Sequence, residues 1–330
     1  MSTERKQRPV KPIPDALDPA ETLALERRWL PTAGVLGVLS GVFAVISFVL
    51  RAMASRGIDD DIAQTRSVGE SLQFFATPGH DPNGLVGAQS DAIGHYGSDW
   101  ILVIAGGAAT GIGILLATPV LYGLIRAAWR RRPSFPRWFL WAPVVGGVLF
   151  GLGSIVAYAY QGSQYHDFSE LAPAMQTNGA AHDVIKHVQD NFLGIRVATG
   201  IGSLLGAVGL GAAALSAMNV GLLTKVIGSI GVLLAVMSVI PQLLGQAGDI
   251  LRAFWFIALG LTLLGRWPGG RSAAWQSGEA VPWPTRAQLM EEADRAQAGG
   301  RSRTGGSTSD PAPAPTPKKQ PGGNRKKRRK

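Results

Sequence analysis

Residues 100–125 read WILVIAGGAATGIGILLATPVLYGLI, 26 consecutive positions without an Asp, Glu, Lys or Arg. A helix rises about 1.5 Å per residue and the hydrocarbon core of a bilayer is ~30 Å thick, so this stretch predicts a membrane-crossing helix. Four others pass the same test: Trp29–Leu50, Trp138–Tyr160, Val197–Thr224 and Val226–Gly248. A sixth, Ile250–Trp267, carries Arg252 near one end, where a long side chain can lift its guanidinium into the headgroups. The expected fold is an all-α integral membrane protein of six transmembrane helices.

Composition agrees. Of 330 residues, 46% are hydrophobic and only 16% charged, and mean hydropathy is +0.15, values that point to a bilayer rather than to water. The absence of cysteine excludes disulfides, zinc-thiolate sites, iron–sulfur clusters and Cys nucleophiles. The net charge of +10 sits beside apolar runs, which makes membrane lipid the expected anionic neighbour; no specific nucleic acid partner is expected.

Lys and Arg are retained on the cytoplasmic side of spans. The segments alternate: 26 of the 32 cations fall on one side, and only Arg51, Arg56, Arg66, Lys186, Arg196 and Arg252 on the other. Both termini are therefore expected in the cytoplasm of a multi-pass plasma-membrane protein. The tail 1–28 precedes a six-span domain over 29–267, with outer loops at 51–99 and 161–196, and a basic tail follows over 268–330. Ala52-Met53-Ala54 resembles a signal-peptidase site, but the long leader and Arg51 favour an uncleaved anchor.

The chain also matches itself. Residues 109–116, ATGIGILL, return at 198–205 as ATGIGSLL, and upstream Asp91-Ala92-Ile93-Gly94-His95 corresponds to Asp183-Val184-Ile185-Lys186-His187. The loop motif lies outside the low-complexity apolar stretch and in the same order, which favours duplication of a span-loop-span unit, 29–125 and 138–224. Both copies enter the membrane in the same direction, so the repeat is parallel, and the hairpin 226–267 completes the bundle.

Small residues four apart let helix backbones approach in lipid. Gly37 and Gly41, Gly107 and Gly111, Gly147 and Gly151, and Gly202 and Gly206 supply such pairs, while Pro119, Pro143 and Pro241 bend helices or mark their ends. The spans carry no ionisable residue apart from Arg252, which disfavours a proton-driven pump. A continuous polar cavity lined by Thr110, Thr199 or Ser203 would favour transport; glycine-packed helices without one would favour a scaffold.

All five histidines, His80, His95, His166, His182 and His187, fall in the outer loops. On helices, Asp91, His95 and Asp99 would share one face, as would Asp183, His187 and Asp190. Imidazole and carboxylate suit a divalent ion such as zinc or manganese, so these six residues form a candidate metal site. The competing reading gives Asp99 and Asp190 to capping of membrane helices, and Asp91 and Asp183 to pairing with the histidines. No Walker loop, nucleophile elbow, zincin or dinucleotide fingerprint is present.

After Trp267 the chain turns polar, with a short helical stretch expected over 286–298 and a Gly/Ser/Pro-rich segment, 299–324, that cannot bury enough apolar area to order itself. Arg325, Lys326, Lys327, Arg328, Arg329 and Lys330 end it and suit anionic lipid headgroups, or RNA phosphates. The whole resembles, in architecture, uncharacterised bacterial families of multi-span membrane proteins with paired helices, outer loops and basic cytoplasmic tails. The resemblance covers 29–267, rests on no catalytic motif and transfers no functional residue. These readings converge on a non-enzymatic membrane scaffold or sensor with an extracytoplasmic loop cap, acting with a membrane-protein partner and no cofactor. A transporter or channel for a neutral or lipid-like solute comes second, and an outer-face metalloenzyme third.

Overall fold

The computed structural model describes residues 18–56, 88–133, 136–239 and 245–284, with single positions between 288 and 294. His80, Pro241 and the basic run Arg325–Lys330 lie outside the described residues. Every regular element is helical: α1 (Pro19–Ala54), α2 (Ala88–Ser98), α3 (Trp100–Arg131), α4 (Ala142–Ser169), α5 (Asn178–Asn191), α6 (Leu193–Asn219), α7 (Lys225–Val239), α8 (Gly245–Leu264) and α9 (Ala273–Ser277). Short 3-10 turns at Arg137–Trp141 and Pro173–Met175 complete the described set. Residues through Trp283 form one compact unit; in the segment from Pro284 onward, positions 288, 290, 291 and 294 are helical.

Among the described residues, four helices are long and apolar enough to cross a membrane: α1, α3, α4 with its leading turn, and α6. This is the build of an integral membrane protein. The four stand in place of the six expected: α7 has 15 described residues and α8 has 20, against the ~20 that a bilayer requires. The helices also outrun the apolar stretches that announced them. Asp18 caps α1, its carboxylate accepting from the Ala20 amide at 3.4 Å with Pro19 behind it, so the helix starts ten residues before Trp29. Pro143 opens α4, and α4 continues to Ser169, converting the start of the expected outer loop into helix.

Helix α1 packs between α3 and α8, α3 packs on α4, α4 on α6, and α6 on α7, which returns to α8. Glycine sets these distances. A Cβ on Gly37 would lie 3.0 Å from the Gly260 Cα, and one on Gly260 would lie 2.6 Å from the Gly34 carbonyl oxygen. Gly151 meets the Gly111 carbonyl across α3 and α4, and Gly202 meets the Phe150 amide across α4 and α6. Gly206 departs from its expected role. A Cβ there would meet nothing within 4 Å, and it is Gly146 of α4 whose missing side chain lets the two backbones touch.

At the end of the bundle holding the C-termini of α1 and α4, the helices α2 and α5 pack on each other and on α4. Ile93, Phe168 and Ala181 form a small core there, and the Ser90 amide donates to Asn178 Oδ1 at 3.2 Å. At the other end, residues 265–283 fold back under the bundle. Trp275 Nε1 donates to the Leu222 carbonyl at 2.9 Å, Trp283 Nε1 to that of Leu223 at 2.8 Å, and the Val281 amide to that of Val220 at 3.0 Å. This strap supplies donors to the carbonyls of the α6–α7 turn, where Gly221 has φ of +78°. The folded part of the chain thus extends past residue 268, where the polar tail was expected to begin.

Because their Cβ atoms would strike backbone, Gly37→Ala and Gly260→Ala are each expected to cost about 1–3 kcal/mol. Gly206→Ala is expected to stay within about 0.5 kcal/mol of the parent. The thermal midpoints of the purified proteins in detergent check the contrast.

Candidate functional site

The six acidic and histidine residues singled out from the sequence occupy α2, α5 and, for Asp99, the junction after α2. His95 Nε2 stands 4.0 Å from Asp99 Oδ2. His187 is exposed and bonded to Asn191, whose Nδ2 lies 2.8 Å from its Nε2. Asp183 and Asp190 are exposed and Asp91 is half-buried. Among the described residues, no three His, Asp or Glu side chains come together as a metal site would require. Asp99 does not cap α3 with its side chain; its carbonyl accepts from Leu102 at 2.8 Å instead. Asp190 lies inside α5, and the residue preceding α6 is Phe192.

The charges that do converge are others. Arg51, in the last turn of α1, donates through Nη2 to Thr110 Oγ1 of α3 and approaches Asp249 Oδ2 of α8 at 3.5 Å through Nη1. Asp249 accepts a second and closer bond, 2.7 Å, from Arg252 Nη2. Ser47 continues the network, its Oγ 2.6 Å from Thr110 Oγ1 and 2.9 Å from the Gly106 carbonyl. Arg252 therefore does not reach for headgroups; it turns to a carboxylate one helical turn before it. The sequence placed Asp249 in the turn between spans, but α8 starts at Gly245 and carries both residues on its first turns.

Above this network lies a cavity of about 390 Å³ whose wall includes Arg51, Asp249, Tyr96, Tyr158 and Gln161. The Arg51 guanidinium sits over the Tyr158 ring, 5.4 Å from its centroid, a cation–π arrangement that holds it against the wall. Gln161 Nε2 donates to Tyr165 OH at 2.8 Å, and this pair also borders a second cavity of about 230 Å³ between α4, α5 and α6 that contains Arg196. Below Arg51 a void of about 10 Å³ remains beside Ser40, Thr110 and Arg252. Thr110 lies ten residues into α3, about 15 Å along its axis. Farther on, Val120, Leu124, Leu259 and Leu263 are fully buried. Thr199 donates back to the Ile195 carbonyl of its own helix at 2.6 Å and Ser203 is half-buried; neither borders these three cavities.

A second charged pair closes the strap end. Glu26 of α1 and Arg131 of α3 are both buried and paired in bidentate fashion, Arg131 Nη2 donating to Glu26 Oε2 at 2.8 Å and to the Ala274 carbonyl of the strap at 2.9 Å. The guanidinium also lies 5.4 Å from the Trp275 ring centroid. Glu26 and Arg131 were read as residues of cytoplasmic segments because they fall outside the uncharged runs. The signal that could have found both clusters is spacing: Asp249 and Arg252 at i, i+3, and Arg51 and Arg131 one or a few residues past apolar runs, all positions where an extended helix carries its charge inward.

Comparison with protein-family models, with curated proteins and with solved structures gives no match. The functional reading therefore rests on the geometry of the cavity and its charges.

Removing one partner of a buried ion pair leaves an uncompensated charge, so Glu26→Gln is expected to cost about 3–5 kcal/mol. Combining Glu26→Leu with Arg131→Met should recover much of that loss. A double-mutant cycle on thermal stability in detergent measures both effects.

Proposed function

We propose that the chain is a non-enzymatic integral membrane sensor or scaffold whose extracytoplasmic face admits a small solute to the Arg51–Asp249 cavity. The observation that carries this reading is the contrast between the two ends. The loop end has a cavity floored by Arg51 and Asp249, with Arg252 bonded to Asp249 from behind, while the opposite end is occupied by indoles, the Glu26–Arg131 pair and the strap. A cavity closed below suits binding and signalling more than conduction. Packing of α2 and α5 against α4 beside the cavity supports a cap built from the two outer loops.

In this reading α7 and α8 are the fifth and sixth spans, the termini are cytoplasmic and the membrane is the plasma membrane. The Lys/Arg asymmetry supports the orientation. Two features support a parallel repeat. In each copy the two matched motifs lie on either side of a junction where a short helix meets a long one across a single residue, Asp99 between α2 and α3 and Phe192 between α5 and α6. The aromatic opening each second span also stacks on α4, Trp100 on His166 at 4.9 Å and Phe192 on Tyr160 at 4.1 Å. The terminal cations Arg325–Lys330 would hold anionic headgroups, each worth about 1 kcal/mol near the surface. A transport reading draws on the polar column from Arg51 through Ser47 to Thr110 and Ser40, and it requires the strap to move.

The native chain has no thiol, so introduced cysteines report topology directly. Gln89 and Ala174 are exposed at the loop end and Ser277 on the strap. Gln89→Cys, Ala174→Cys and Gln242→Cys are expected to react with a membrane-impermeant maleimide in intact cells, while Ser277→Cys and Ser302→Cys react only after lysis. Reaction at Ser277→Cys before lysis would reverse the orientation, and protection of Gln242→Cys would reduce the spans to four. Accumulation of a bound solute inside proteoliposomes would replace the sensor reading with transport.

A further inference from the structure

The charges at the cavity's floor are unbalanced among the described residues. Asp249 in the wall serves both Arg51, also in the wall, and Arg252 behind it, so the three groups carry one positive charge beside a site walled by Phe48, Val103, Tyr96, Tyr158 and Tyr165. Asp249 serves the two guanidiniums unequally, at 2.7 Å from Arg252 and 3.5 Å from Arg51. Arg51 Nε is buried and donates to none of the described residues. An arginine held in this way has spare donors in the fork geometry that matches an oxyanion. In the same cavity wall the rings of Tyr96 and Tyr165 stack with centroids 6.3 Å apart.

We propose that this cavity binds a small monoanion with an aromatic or apolar body, its acid group on Arg51 and its body against Tyr96, Tyr158 and Tyr165, and that Asp249 stands in for that acid group. The ligand takes Arg51 from Asp249, which keeps its shorter bond to Arg252. One negative charge brings the site to neutrality. A cation would meet the Arg51 guanidinium and a carboxylate already engaged by Arg252, and a neutral solute would leave the excess charge in a low-dielectric site, where it is costly. The volume of about 390 Å³ suits a molecule of this class, since small-molecule pockets run from about 300 to 1,000 Å³. Exchange of partners at Arg51 releases the tie between the loop ends of α1 and α8. This deepens the sensor reading, on which it rests, by naming the ligand class and the contact that ligand breaks.

The test uses the full chain in detergent, with 3-phenylpropionate and phenyl phosphate as acid probes, and 3-phenylpropionamide and 3-phenylpropylamine as their neutral and cationic counterparts. Calorimetric titration and thermal midpoint are read together. At least one acid is expected to bind and raise the midpoint, with the amide and the amine weaker by about tenfold or more, the loss expected for a charge-assisted bond. Arg51→Gln should weaken the acid by a similar factor. Asp249→Asn, which removes the internal competitor, should tighten it. Opposite signs at these two positions separate ligand binding from a merely structural pair, whose loss would act in one direction. If Arg51→Gln is not monodisperse, the sign at Asp249→Asn decides. Equal binding of amide and acid, preference for the amine, no binding by either acid, or weakening in Asp249→Asn overturns the proposal. Binding in detergent is independent of orientation and span number, so acid selectivity with reversed cysteine labelling overturns only the topology, and normal labelling without acid selectivity overturns only the ligand class.

Discussion

Backbone contact between α1 and α8 at Gly37 and Gly260 governs much else in this molecule. In hydrocarbon, apolar side chains gain little by leaving lipid for one another, so association depends on close packing and on polar contacts. Gly34, Gly37 and Gly41 present a groove along α1, and Leu264, Gly260 and Ile257 of α8 fill it. That crossing brings the end of α1 beside the first turns of α8, and only then can Arg51 reach Asp249. A larger residue at the crossing would separate the helices and with them the two halves of the charged cluster.

The two ends of the bundle treat buried charge differently. At the strap end Glu26 and Arg131 are matched one to one, share a bidentate bond and have the Ala274 carbonyl as a further acceptor. A pair so enclosed contributes little net stability because desolvation offsets its attraction, yet it strongly penalises any arrangement that separates the partners. It therefore ties the position of the strap to the spacing of α1 and α3. At the loop end the charges are unequal in number, the bonds unequal in length, and a cavity adjoins them. In the proposed reading one end stays closed and the other exchanges partners.

The indoles of Trp275 and Trp283 show how a polar segment becomes part of an apolar bundle. The last carbonyls of a helix have no partner within it, and the turn from Val220 to Leu223 exposes several. The strap meets them with two indole N–H groups and the Val281 amide, while the apolar faces of the rings cover the helix ends. Trp283 lies within the segment that reads in sequence as a polar tail; the carbonyl it meets is 60 residues away, and no local pattern announces it.

Chain composition alone was sufficient for the helical class and for the long apolar stretches in α1, α3, α4 and α6, because a backbone in lipid must satisfy its own hydrogen bonds and few structures do so. Glycine spacing also marked most of the close contacts, since Gly37, Gly111, Gly151 and Gly202 lie on faces that a neighbouring helix must use. Hydropathy could not locate the helix ends, because a helix continues through charged residues wherever caps and partners allow, as Asp18 and Glu26 do in α1. Nor could it tell that Asp249 and Arg252 face inward or that Glu26 meets Arg131, 105 positions away. Those pairings depend on which helices adjoin, and a charge outside an apolar run reads the same in sequence whether it ends in water or against a counter-charge.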